Sequence, residues 1–391
     1  MKLKLLFLFL SVSMLFLHKV PVLAAPTQSS DSVKHKDEDG VNKVLEGVEY
    51  EDVQKVIDEL MNKPKEVDFR GYVEGISTGQ EDFSISALVG KMLNEVFGEL
   101  ANNKTLLIQL IMIAVLAAIF TNFANVFQSN QVSETAFYVT YLMLFALLTS
   151  SFFLATEIAR TVLQNLFDFM KVLMPTFLLS IAVSSGAKTS LFYYESTLAI
   201  FTGINFILLN VVLPLINIYF VITLANHLTK EDLLSKMTEL IEMVVQWILK
   251  TLLAFVIGFN AIQGLIIPMA EHVKKSAIIR STSAIPGVGN AINSVTETLL
   301  GASVIVKNSI GVAGLIVILI LCLVPLVKLA CFVFVYKLGA ALVQPVSDKR
   351  MVGCISAAAN ASKLLLTVVF ICLLLFVLSI AIIAASTNVG I

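Results

Sequence analysis

The chain has 391 residues, of which 57% are hydrophobic and only 14% charged, and its mean hydropathy is +0.88. A soluble fold cannot hide that much apolar surface behind so few charges, so the composition defines a membrane protein. The net charge of −1 and the absence of a basic platform exclude a nucleic-acid binder.

The first residues carry a signal of their own. Lys2 and Lys4 precede an apolar run from Leu5 to Leu17, and Val22-Leu23-Ala24-Ala25 offers small residues to a signal peptidase. This is the layout of a cleaved secretory signal over 1–25, with an uncleaved anchor as the other reading. In either case the segment 26–104 is delivered across the membrane. It holds 17 Asp and Glu against 9 Lys and Arg, a balance of −8, whereas the chain after Lys104 carries 15 basic and 11 acidic residues, or +4. An acidic exported head with basic cytoplasmic loops follows the positive-inside tendency.

Within the head, Thr27 to Asn42 is polar and charged and reads as a tether. Val53, Val56, Ile57 and Leu60 then share one face of a short helix that ends before Pro64. A second amphipathic helix, capped by Ser84, aligns Ile85, Leu88, Val89, Met92, Leu93, Val96, Phe97 and Leu100. Two such helices make a small core, too little for a catalytic domain.

From Thr105 onward the chain offers one apolar stretch after another, each near the roughly 20 residues that cross a bilayer. The expected fold class is therefore an all-α polytopic membrane protein. It has about seven to eight transmembrane helices in a multi-span domain over 105–386. The spans are drawn at 105–127, 136–157, 162–184, 196–225, 244–267, 311–327, 329–346 and 364–386. Pro214 predicts a kink in the fourth. Pro325 and Lys328 interrupt 311–346, which reads either as a hairpin of two short arms or as one broken span. The hairpin keeps Lys349, Arg350 and Lys363 inside, which favours eight spans and an outside C-terminus.

Two charges lie in an apolar stretch, Asp168 and Lys171, three apart and so on one helix face. As an intramembrane polar pair they would line a conduction path, facing a bundle interior or a wet cavity. The plainer alternative is that they mark the end of a span, with Lys171 snorkelling. The stretch from Thr229 to Val245 places Leu233, Met237, Leu240, Ile241 and Val244 on one face, followed by Trp247 at an interface. It reads as a surface helix, started by Thr229 and Asp232, that anchors the fifth span.

A cytoplasmic basic and amphipathic loop is expected over 268–310. Pro286, Gly287, Gly289 and Asn290 form its turn. Val288, Ile292, Val295, Leu299, Ala302 and Val306 then repeat at helical spacing, with Glu297 and Lys307 on the opposite, polar face. This element would dock a cytoplasmic partner, cap a pore or lie in the interface. Its glycines are not a phosphate loop, because no Gly-Lys-Ser/Thr follows.

Chemistry is sparse elsewhere. Cys322, Cys331, Cys354 and Cys372 all fall in the last 70 residues or so without a CxxC pair, and read as small apolar residues between helices. The four histidines are scattered, and neither HExxH nor GxSxG occurs. No enzyme, metal site or cofactor is expected. Gly301, Gly311, Gly314, Gly339 and Ala357 to Ala359 allow close helix approach and suit a homo-oligomer, although membrane helices often carry such residues anyway.

The signal, the acidic head and the helix leading into the first span form a known layout. So do PGVGNAINSVTETLLGASVIVKNSIGVAG from Pro286 and PLVKLACFVFVYKLGAALVQP from Pro325. Together they resemble the stage III sporulation protein AE family of endospore-forming bacteria. The resemblance implies a subunit in the mother-cell membrane around the forespore, with its head on the extracytoplasmic side. It implies sister stage III sporulation A proteins as partners, including a motor ATPase. Across the intermembrane space it implies stage II sporulation protein Q. The complex would be a secretion-like channel that supports forespore transcription and development. An independent secondary transporter and a non-conducting assembly scaffold stand as the alternatives.

Overall fold

The computed structural model describes residues 50–61, 67–78, 104–126, 130–185, 187–228, 233–282 and 289–386, together with Leu45, Gly98 and Ala101. The signal segment, the tether and nearly all of the second amphipathic helix of the head lie outside the described residues.

Two short helices open the described chain, α1 (Glu51–Met61) and α2 (Phe69–Thr78). The expected face of α1 is the one that packs: Val53 and Ile57 are fully buried and Leu60 packs beside them. Gln54 clamps the join to α2. Its Nε2 donates to the Val67 carbonyl at 2.8 Å, and its Oε1 accepts the Phe69 N–H at 2.9 Å. Asp68 caps α2 by accepting the Gly71 N–H at 3.0 Å.

The membrane part follows as α3 (Lys104–Val126), α4 (Asn130–Ser185) and α5 (Ala187–Ile207). A π-turn over Leu208–Val212 leads into α6 (Leu213–Leu228), after which come α7 (Ser235–Thr282), α8 (Gly289–Val343) and α9 (Lys349–Ser386). Among the described residues, five stretches are long and apolar enough to cross a membrane: Phe137–Ser180, Tyr194–Leu228, Ser235–Ile262, Gly301–Val343 and Lys349–Ala384. The protein is an all-α polytopic membrane protein.

Helix boundaries depart from the sequence reading in an instructive way. The spans drawn at 136–157 and 162–184 are one helix, α4, of 56 residues. Glu157 and Arg160 sit between the apolar arms, but charges of good helix-forming residues do not end a helix; a Gly or Pro turn does. The hairpin over 311–346 is likewise corrected to a single helix, α8, which runs through Pro325 unbroken. A proline removes one backbone hydrogen bond, whereas a hairpin would leave several backbone groups unpaired in an apolar setting. The surface helix expected before the fifth span is continuous with that span in α7. Much of the loop expected over 268–310 is helical, up to Thr282 and again from Gly289. The irregularity expected at Pro214 is present, as the π-turn just before it. Pro214 has no N–H to offer the Asn210 carbonyl, and the wider turn absorbs the missing bond.

α8 and α9 form the antiparallel centre. They are the two most apolar of the described spans and the two most buried, as expected for helices at the centre of a bundle. α8 also runs antiparallel to α4, with Gly311 against Phe177, Gly314 against Leu173, and Tyr336 against Ser151. α6 packs antiparallel to α4 through stacked Phe152 and Phe220, 3.9 Å between ring centroids. α7 lies along α9, where Asn260 meets Ser379. α1 packs on α4 and α2 on α8. The head helices and the membrane helices thus share one core.

Candidate functional site

Asp168 and Lys171 lie on α4, and both side chains are exposed on the outside of the chain. Among the described residues no ion pair joins them. They belong to a longer row. Glu157, Thr161, Gln164, Asp168 and Lys171 follow one another at steps of four and three, and every one is exposed. The opposite face of the same stretch (Ala155, Ala159, Val162, Leu163, Leu166, Phe169, Met170 and Leu173) is buried. An α-helix brings such a four-three row onto one face, so the polar row spans about 21 Å.

The second candidate element divides. Pro286 and Gly287 lie outside the described residues. Gly289, Asn290 and Glu297 are on the first turns of α8. Lys307, expected on an open polar face with Glu297, is instead fully buried, and its Nζ donates to the Ala384 carbonyl at 3.4 Å. That carbonyl belongs to the last turn of α9, where helix acceptors lack intrahelical donors and the dipole favours a cation. Lys307 thus works as a tertiary cap for α9 and not as part of an open polar face.

Several polar residues escaped the sequence reading and tie the spans together. Thr156 donates to the Asn217 side chain at 3.1 Å, and the Asn260 amide donates to Ser379 at 3.1 Å. Tyr141 donates to the Leu224 carbonyl and accepts the Cys354 thiol at 3.1 Å. Asn226 accepts the Leu234 N–H at 2.7 Å, which ties the end of α6 to the residue before α7. The available signal was the isolated polar residue inside an apolar run, which inside a membrane needs a partner. All four cysteines are buried and none forms a disulfide, in keeping with the packing role expected of them.

A helical bundle whose spans are stitched by buried polar pairs, with a row of polar and charged residues on the outside of α4, is a multi-pass membrane protein. The chain belongs to the stage III sporulation protein AE family, whose sequence model matches residues 67–387. Stage III sporulation protein AE of Bacillus subtilis (strain 168) is 24% identical over 320 residues, covering 82% of this chain and 80% of its own length. No solved structure matches the chain. Membership implies a role in sporulation, association with the membrane and sporulation partners.

Proposed function

We propose that this protein is an integral membrane subunit of the channel between mother cell and forespore, a secretion-like complex needed for endospore development and forespore transcription. It performs no enzymatic step of its own. It sits in the mother-cell membrane around the forespore with its head on the extracytoplasmic side. There it works with sister stage III sporulation A proteins, including a motor ATPase, and with stage II sporulation protein Q on the forespore side. The observation that carries this reading, beside family membership, is the outward placement of Asp168 and Lys171. Charges on the outer face of a membrane-length helix call for a polar surrounding that lipid does not supply.

The test follows fluorescently tagged sister proteins in sporulating cells that lack this chain. Sister proteins that gather normally while forespore transcription stops support function at the membrane itself. Sister proteins that fail to gather make the protein an assembly scaffold first.

An independent secondary transporter is the second reading, and the π-turn at Leu208–Val212 favours it, because transporters break helices around a midplane substrate site. Asn210, the polar residue of that turn, is exposed on the outside and its amide donates to the Phe206 carbonyl at 3.1 Å. A substrate site enclosed by this chain therefore gains nothing from the break, and the channel subunit leads.

A further inference from the structure

The outward row of α4 changes character along its length. Tyr138, Val139, Leu142, Met143, Phe153 and Leu154 are exposed and apolar, as a lipid-facing surface should be. From Glu157 to Lys171 the row is polar, and at Leu179 it is apolar again. The level of Asp168 and Lys171 within the bundle follows from the packing. Leu173 meets Gly314, and Phe177 meets Gly311, which lies beside Ile380. Phe201 meets Phe376, and Asn260 meets Ser379. The stretches of the other spans at this level, 196–226, 251–270, 308–327 and 364–386, contain no Asp, Glu, Lys or Arg. The two charges therefore stand on the outer wall of a slab that is otherwise uncharged in those spans. Lipid tails offer them no partner.

We propose that parallel copies of this chain meet along this polar row of α4, with Gln164 at the centre of the contact. The inference rests on the membrane-subunit reading above, because it takes the copies to share one membrane and one orientation. Copies inserted the same way up present their α4 helices parallel and at equal height. Both signs occur within one helical turn at each charged level, Glu157 of the row with half-buried Arg160 beside it, and Asp168 with Lys171. Across the two-fold axis of such a pair, Asp168 of each copy lies diagonally opposite Lys171 of the other, an isologous contact in which one patch meets itself.

These charges are not already spent within the chain. Arg160 Nε lies 3.9 Å from Glu157 Oε2 with both side chains partly exposed, at the limit of an ion pair. Between Asp168 and Lys171 there is none among the described residues. Gln164 adds an amide that both donates and accepts, so two copies of it can pair directly, and such side chains hold membrane helices together.

The experiment uses the full chain carrying two different epitope tags, co-expressed and treated in native membranes with a short bis-maleimide. Cysteine is placed at Gln164 (Q164C) or, independently, at Thr161 (T161C). L142C and M237C, on exposed apolar surfaces of α4 and α7, serve as controls, and the parent chain with its four buried cysteines sets the background. We expect a product carrying both tags from Q164C and T161C and background levels from the controls. Added to Q164C, D168K lowers that product several-fold by setting lysines against each other, and the swapped pair D168K/K171D restores it. The proposal is overturned if neither Q164C nor T161C gives the two-tag product, if the controls give it equally, if the product joins the chain to a different protein, or if the swapped pair fails to restore it. Spore formation scored in the same strains separates the two readings. Normal sporulation without crosslinking removes the interface and leaves the channel subunit standing.

Discussion

The hydroxyl of Tyr336 on α8 donates to Ser151 Oγ on α4 at 2.7 Å, joining residues 185 positions apart across the centre of the bundle. Ser151 in turn donates to the Leu147 carbonyl of its own helix at 2.8 Å, so losing the tyrosine hydroxyl does not strand it. Tyr336→Phe should cost about 1 kcal/mol, within the range of interhelical hydrogen bonds in membranes. Thermal unfolding in detergent measures it. A loss beyond about 3 kcal/mol would mean that the ring, not the bond, is being disturbed.

At Gly314 α8 lies close against α4. A Cβ there would lie 2.6 Å from Cδ2 of Leu173, the far end of a flexible side chain. Gly314→Ala should therefore be mild, whereas Gly314→Leu forces the helices apart at a cost of about 1–3 kcal/mol. Nothing lies within 4 Å of a Cβ at Gly203 or Gly301. Alanine at either position should hold or raise stability by about 0.5–1 kcal/mol through helix propensity alone. Melting temperatures check the assignment: Gly203→Ala and Gly301→Ala should melt highest, Gly314→Ala next and Gly314→Leu lowest.

Lys307→Met keeps the length of a buried side chain and removes its donor. The last turn of α9 then loses the bond to the Ala384 carbonyl, worth about 1 kcal/mol, and should fray. Hydrogen exchange of the backbone just before Ala384 should quicken while the middle of α9 stays protected. Unchanged exchange would show that the lysine does not cap the helix.

Burial pushes the Tyr50 hydroxyl up from the ordinary phenol value of 10.0 to about 12, with Arg70 pulling the other way and Glu74 adding to the rise. Because the folded value lies above the unfolded one, the stabilisation from the neutral phenol is fully present below pH 10 and is lost as pH rises through 12. An ultraviolet difference titration of the parent against Tyr50→Phe isolates this group. Its tyrosinate signal should emerge late. Among the described residues the buried hydroxyl has no hydrogen-bond partner, so Tyr50→Phe should cost the folded head little.

Composition and hydropathy by themselves determined the class of this protein. An apolar chain with few charges must be helical and membrane-embedded, because only intrahelical hydrogen bonds or a closed barrel satisfy a backbone in lipid. The packing face of α1, the irregularity at Pro214 and the oddity of Asp168 and Lys171 were legible for similar reasons, since each is a local pattern. Helix continuity was not. Whether the chain turns near Glu157 or Pro325 depends on what packs alongside, and Ser151, Leu173 and Phe177 of α4 lie against Tyr336, Gly314 and Gly311 of α8 along one unbroken line. The fate of each charge was likewise decided only by the tertiary structure. Helical spacing puts Glu297 and Lys307 on one face, yet α9 closes over Lys307 and buries it. The same periodicity leaves the row from Glu157 to Lys171 outside, because no other described part of the chain comes to cover it. Periodicity says which residues share a face; the neighbour that arrives at that face comes from far along the chain, where local spacing carries no information.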